Sequence, residues 1–219
     1  MRDLTGIVAF IHAKGTSSRV PSKNKQLLGG RPLFLHAIIK ASAAELVDHV
    51  VIDSDDDEIL EIGQRYDAIP LKRPAELATN ATAGDGLESW AAYNCPFSDA
   101  IAVVIPTSPF IKPASIDGAI KLLIANDADS VSGVRSSKLF LWRNGKPGYG
   151  SIRTSQALPM TTWETTGLYI TKTAYINKHH QRINYGDCLP YELSLIESVD
   201  IDTPEDLEFA RMLYAGMNQ

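Results

Sequence analysis

The chain alternates short apolar runs with amphipathic stretches. GIVAFIH at 6–12, HVVID at 49–53, AIAVVI at 100–105 and the segment 129–134 each read as a strand. Runs of this length bounded by polar turns suit strands covered on both faces. Between them the spacing predicts helices over 33–45 (after the turn GGRP), 56–66 (capped by Ser54 or Asp55), 85–93 and 113–126. The last opens on Pro113, a favoured first-turn residue. GLYIT at 167–171 adds a strand. SVDIDTPEDLEFARMLY then predicts a final helix, with Thr203 as N-cap, Pro204 in the first turn and Asp206 completing a capping box.

This order implies an α/β fold, a parallel sheet with helices on both faces. Such sheets bind ligands outside the carboxyl ends of their strands. The loops after residues 12, 53 and 105 should therefore share one rim. The rhythm breaks from about 135 to 165, where Gly, Pro, Ser and basic residues gather around the turn NGKPG. That segment reads as an inserted β-ribbon or lid within a single domain spanning 1–219. No internal repeat or low-complexity tract interrupts the pattern.

Composition narrows the class. Net charge is −5 with 44% hydrophobic residues, an ordinary globular balance that argues against general nucleic-acid or membrane binding. No run approaches the ~20 apolar residues of a membrane span, and no signal peptide is evident, so a cytoplasmic protein is expected. Cys95 and Cys188 have no metal-ligand spacing and are read as reduced, partly buried thiols. Trp90, Trp142 and Trp163 are read as packing residues, His12 as packed on its strand, and His179 and His180 as exposed.

The chemistry concentrates in loops. HAKGTSSRVPSKN, from His12 to Asn24, follows the first strand. Its small residues let successive backbone N–H groups approach an anion, and Lys14, Arg19 and Lys23 supply charge. It is neither a Walker A loop nor G-x-G-x-x-G. On spacing alone an anion cradle and a solvated polar turn both fit; the loop's place on the rim and its length favour the cradle. DSDDDE, from Asp53 to Glu58, suits helix capping better than a metal cluster, and Asp53 is the one expected to face the rim. Asp200 and Asp202, two apart in an extended segment, put both carboxylates on one side. That pair suits Mg²⁺, or serves only to lead into the helix. Arg73 in RPAEL, Thr107 and Ser108 in PTSP, and Gly167 at a strand start are weaker pointers taken singly.

In order along the chain, IVAFIHAKGTSSRVPSKNKQLLGGRPLF, VIDSDDDEILEIGQRYDA, RPAELATNATA, VVIPTSPF and SVDIDTPEDLEFA resemble the acylneuraminate cytidylyltransferases, also called CMP-sialic acid synthetases. The resemblance is weakest from about 135 to 190. It implies a Rossmann-like nucleotidyltransferase fold of the nucleotide-diphospho-sugar transferase type, a three-layer sandwich with a small β-ribbon exchanged between the subunits of a homodimer. It further implies Mg²⁺-dependent transfer of CMP from CTP to a 2-keto-3-deoxy sugar acid, with release of pyrophosphate. Ala13, Lys14, Gly15, Arg19, Lys23, Asn24, Arg73 and Thr82 would meet the nucleotide. Lys14, Lys23 and Asp202 would act in catalysis, and Asp200 and Asp202 would hold the metal. No residue announces itself as the general base.

Three departures stand out. Lys14 replaces the arginine usual in the first loop, keeping charge without the bidentate fork. Ile105 stands where a glutamine is common before PTSP, and Glu164-Thr165-Thr166-Gly167 stands where R-P-N-G is common. The last two fall on the acceptor side, so Ile105, Thr107, Ser108, Arg153, Glu164 and Thr166 are the candidate acceptor-binding residues, with Arg153 the candidate to meet a substrate carboxylate. The acceptor is open among sialic, legionaminic, pseudaminic and Kdo-like acids and phosphonates. A related enzyme using another base, or an inactive nucleotide-binding homologue, remains an alternative.

Overall fold

Seven strands form one sheet: β1 (Ile7–His12), β2 (His49–Ser54), β3 (Ile69–Lys72), β4 (Ala100–Val104), β5 (Ser130–Lys138), β6 (Met160–Lys172) and β7 (Cys188–Glu192). Their spatial order is β7-β5-β6-β4-β1-β2-β3. The structure is a computed structural model, and it describes residues 6–79, 81–152 and 154–217. Six helices accompany the sheet: α1 (Leu33–Ser42), α2 (Asp57–Gln64), α3 (Gly84–Asn94), α4 (Pro113–Ala125), α5 (Thr173–His179) and α6 (Pro204–Met217).

Strand parity divides the core. Ile7, Ala9 and Ile11 of β1 face one side, where α1, α2 and α4 pack through Phe34, Ile38, Ile59, Ile116 and Ile120. Val8 and Phe10 face the other side, against Ala91 and Ala92 of α3 and Ile176 of α5. The sandwich thus has three layers. A third cluster joins Val20 of the first loop to Leu28, Phe110, Ile201 and, on α6, Leu207 and Ala210. It ties that loop to the segment entering α6. The capping box forms as the spacing predicts: Asp206 accepts from the Thr203 backbone N–H at 2.7 Å, and the Asp206 N–H donates to Thr203 Oγ1 at 3.2 Å.

Two expectations need correction. The sheet is mixed, since β6 runs antiparallel to both β4 and β5. The reason is local: β5 returns through the 139–159 connection, whose described residues hold no crossover helix, so the chain re-enters in the opposite direction. The expected β-ribbon is formed by the outward extension of β5 and β6, paired from Lys138↔Met160 to Val134↔Glu164, with a tiny hairpin of Trp142–Arg143 and Lys146–Pro147 beyond. Helix α2 is capped by Asp56, which accepts from Glu58 and Ile59; Ser54 and Asp55 are engaged elsewhere. β3, β7 and α5 went unread because they are short or polar.

Register shifts between Glu164 and Tyr169, where β6 crosses from the ribbon into the sheet. Thr166 in this bulge has φ +61°, a left-handed conformation that a β-branched residue adopts at a cost. Beside it, a Cβ on Gly167 would lie 2.6 Å from Ser108 Oγ, so glycine is what lets the 106–109 loop close onto β6.

Candidate active site

The carboxyl ends of β1, β2 and β4 do form one rim, joined by the bulge of β6 and the segment entering α6. Ile201 is fully buried in the third core cluster, so Asp200 and Asp202 flank an anchored residue. Asp202 accepts from Lys23 Nζ at 2.9 Å and Arg19 Nη1 at 2.8 Å. Asp200 Oδ2 accepts from Thr166 Oγ1 at 3.1 Å. The backbone N–H of Ile201 donates to the Thr107 carbonyl at 2.9 Å. Arg19, Lys23, Thr107, Thr166, Asp200 and Asp202 are therefore brought together.

The two carboxylates differ in character. Burial raises the Asp200 pKa, and the charge of Asp202 adds to the rise despite the Thr166 hydrogen bond. Burial pushes Asp202 the same way, but Lys23 and Arg19 outweigh it and hold Asp202 below its ordinary value. Asp200 Oδ1 is buried with no hydrogen-bond partner, as is Ser108 Oγ. An orphaned carboxylate oxygen beside a second carboxylate is what a cation would satisfy. Among the described residues no group of three or more His, Cys, Asp or Glu side chains could hold a metal. The pair therefore suits an ion that takes one or two carboxylates and draws its other ligands from phosphates and water.

The first loop is built rather than merely polar. The Ala13 N–H donates to the Asp53 carbonyl at 2.9 Å, and Ser54 Oγ donates to the Ala13 carbonyl at 2.6 Å. Asn24 Nδ2 donates to the Lys14 carbonyl at 2.8 Å, which clamps the loop across ten residues. A Cβ on Gly15 would meet Asp56 Cβ at 2.7 Å, so only glycine fits there. The Gly15 N–H, expected to serve an anion, donates to Asp55 Oδ1 at 2.8 Å. The acidic run thus caps a helix, as its composition suggested, and also holds the loop.

Arg73 is anchored within the protein. It is buried, with Nε donating to Asp53 Oδ2 at 2.8 Å and Nη2 donating to the same oxygen. Asp53, expected to face the rim, is fully buried beneath it. Asp53 also accepts from His12 Nδ1 at 3.0 Å and from Trp90 Nε1 at 3.2 Å. His12 therefore carries its proton on Nδ1, and its Nε2 is a buried acceptor without a partner. Burial outweighs the pull of Asp53 and lowers the His12 pKa, keeping the ring neutral at pH 7. For Asp53 burial acts upward, yet His12 and Arg73 hold its pKa below the ordinary value. Parity held part of this signal, since His12 continues the face of Val8 and Phe10. Pairing to Asp53 and Arg73 was not readable.

On the acceptor side the geometry is mixed. Glu164 is exposed, and it accepts from the Tyr169 hydroxyl at 2.5 Å. It lines a small pocket with Asp85, Arg182 and Tyr185. Arg182 Nε sits 2.9 and 3.0 Å from the two oxygens of buried Glu88, and its guanidinium lies 4.4 Å from the Tyr169 ring centroid. Burial pushes Glu88 up to about 7 against the pull of Arg182. The sequence, with these partners 94 positions apart, gave no hint of the pair. Ile105 is half-buried and packs against the core on the α3 side. Thr107 and Ser108 are buried, turned to Asp200 and Gly167 rather than open. Thr82 Oγ1 lies 2.9 Å from Thr79 Oγ1 in the loop before α3. Arg153 lies outside the described residues. Trp142 and Trp163, read as packing residues, are exposed, while Trp90 does pack.

Residues 8–218 match the family model described as Cytidylyltransferase. The chain belongs to the cytidylyltransferase family. It is 30% identical to the CMP-N,N'-diacetyllegionaminic acid synthase of Legionella pneumophila over 91% of this chain and 92% of that protein. It is 25% identical to the pseudaminic acid cytidylyltransferase of Campylobacter jejuni, covering 94% of this chain and 95% of that one. In fold it is similar to a CMP:2-keto-3-deoxy-manno-octonic acid synthetase complexed with CTP, with a TM-score of 0.75 at 15% identity over 97% of this chain and all of that one. These relationships bear out the acylneuraminate cytidylyltransferase resemblance and make this cytidylyltransferase a nucleotidyltransferase.

Asp53 is the support on which Arg73 rests. Asp53→Ala leaves a buried guanidinium without its counter-charge and is expected to lower unfolding free energy by about 3–5 kcal/mol in urea denaturation. A loss below about 1 kcal/mol would contradict the account of this cluster.

Proposed function

We propose that this cytidylyltransferase transfers CMP from CTP to a hydroxyl of an acidic sugar of the 2-keto-3-deoxy class, releasing pyrophosphate, with Mg²⁺ as cofactor. The observation that carries the reading is the meeting of Asp200 and Asp202 with Lys23 and Arg19 at the strand ends. Names of the relatives support the acidic-sugar class. Asp200 and Asp202 would hold the metal, which supplies charge neutralisation at the reacting phosphate and its leaving group.

The chain's own residues supply the remainder. Attack on the α-phosphorus accumulates charge on the transferring and leaving phosphates. Lys23 and Arg19 are drawn to that rim by Asp202 before any nucleotide arrives, and they are positioned to neutralise it. Lys14 adds a third cation on the loop, whose fold is fixed by Asn24 and Asp55. Arg73, immobilised by Asp53, offers its remaining N–H groups to the nucleotide. Ile201 and Thr107 hold the carboxylate pair, so catalysis rests on positioning more than on a proton-transfer residue. Acceptor selection falls to the β6 bulge and its surroundings, with Glu164 and Thr166 in place of the commoner arginine and asparagine.

A homodimer belongs to the same proposal. The ribbon exposes Phe140 (43%), Trp142 (63%) and Met160 (59%), more apolar surface than so small an extension normally leaves in water. No helix of the described residues is long and apolar enough to cross a membrane, and the proposed reaction would draw on cytoplasmic CTP.

Pyrophosphate release measured with each of the four nucleoside triphosphates, Mg²⁺ and a panel of sialic, legionaminic, pseudaminic and Kdo-like acids is expected to show turnover with CTP and at least one acid. CTP binding without turnover on any acid would leave an inactive nucleotide-binding homologue, and turnover with another triphosphate would overturn the base assignment. Light scattering should give twice the chain mass, and Trp142→Glu should shift the protein toward monomer. A wild-type monomer would remove the dimer proposal.

A further inference from the structure

A second group of cations stands apart from the CTP rim. The cations Arg31 and Lys40, with the neutral imidazole of His36, line a cavity of about 280 Å³ together with Pro109, Phe110 and Tyr214. His36 and Lys40 are four apart on α1 and so share a face. No acidic residue lines the cavity.

Lys40 is the anomaly. It is half-buried, its ammonium donates to the Pro109 carbonyl, and it stands 5.9 Å from the Phe110 ring centroid. It has no ion-pair partner among the described residues. The acid whose field reaches it, Glu197, is occupied by Ser115, Ser194 and the Lys112 N–H. Burial pulls the Lys40 pKa down to about 8. Arg31 is exposed and likewise unpaired among the described residues. Buried His36 is engaged at Nε2 with the Leu28 carbonyl, 2.8 Å away, and its ring meets Tyr214 edge-on at 5.7 Å.

Partly desolvated cations are normally balanced by an acid. Here Lys40 has only a carbonyl, and the one other charged residue lining the cavity, Arg31, carries the same sign. An anion in the cavity would relieve the repulsion and complete the coordination of Lys40. The Phe110 and Tyr214 rings provide apolar walls for a carbon skeleton.

We propose that this cavity is a second ligand site, for a small organic anion whose phosphate or carboxylate is held by Lys40 and Arg31 and whose body packs on Phe110 and Tyr214. The site backs directly onto the 106–109 loop, one residue from Ser108. It stands on its own observations and does not depend on which acid the enzyme activates.

Pyridoxal phosphate tests it, because that probe joins an aldehyde to a phosphate. The Lys40 amine condenses with the aldehyde, releasing water, and borohydride reduces the resulting imine to a stable secondary amine. Peptide mapping by mass spectrometry then reads Lys40 separately from Lys14 and Lys23. Lys40 is expected to label faster with pyridoxal phosphate than with pyridoxal. Arg31→Gln, an exposed change that spares the fold, should slow the pyridoxal phosphate reaction about tenfold and leave the pyridoxal reaction unchanged. Phenyl phosphate or benzoate should protect Lys40, and whichever protects better identifies the anion. Equal rates with the two aldehydes, no effect of Arg31→Gln, or no protection by either anion would overturn the site and leave Lys40 an accessible lysine only.

Discussion

Asp202 joins distant parts of the chain at one point. It draws Lys23 across 179 residues and Arg19 across 183, so the first loop and the segment entering α6 close on each other. The third core cluster makes the same connection in apolar terms, with Val20 on one side of the contact and Ile201 on the other. Packing sets the distance and the charges set the register. Without both, the cations of the loop would have no fixed relation to the carboxylates, and the rim would be a set of surface groups.

A second aspartate does parallel work beneath the rim. Asp53 is fully buried and collects His12, Arg73 and Trp90 around one carboxylate. The contrast with Asp202 is physical. Asp53 is a permanent anchor, surrounded by donors and closed to solvent. Asp202 is 40% exposed at its side chain and shares its charge with two cations that a triphosphate can also engage. The resting ion pairs at Asp202 are thus exchangeable contacts. Under the proposed function they hold Lys23 and Arg19 in place until nucleotide and metal replace them.

Most of the frame was legible because apolar runs and caps are local signals. β1, β2 and β4, the helices between them and the Thr203–Asp206 box follow from residues that touch within one element. The direction of β6 was not legible, since it depends on the missing crossover helix rather than on GLYIT itself. Of the candidate site, Lys23, Arg19, Asp200 and Asp202 converge as the loop positions suggested. Gly15, Asn24 and Arg73 turn out to be engaged with other protein groups, which spacing cannot show. The His12–Asp53–Arg73 cluster and the Glu88–Arg182 pair are tertiary contacts between distant residues, and single-sequence reasoning sees such contacts only after the fold is known.

The central claim is that Asp202 restrains the cations in the resting enzyme and yields to nucleotide and metal together. Calorimetric titration of CTP with and without Mg²⁺, on wild type and Asp202→Asn, tests it most directly. The account predicts at least about tenfold tighter CTP binding with Mg²⁺ in the wild type. In the variant that gain should disappear, while metal-free CTP binds as well as in wild type or better, because Lys23 and Arg19 are released. An undiminished Mg²⁺ gain in Asp202→Asn, or much weaker metal-free binding of CTP, would contradict it.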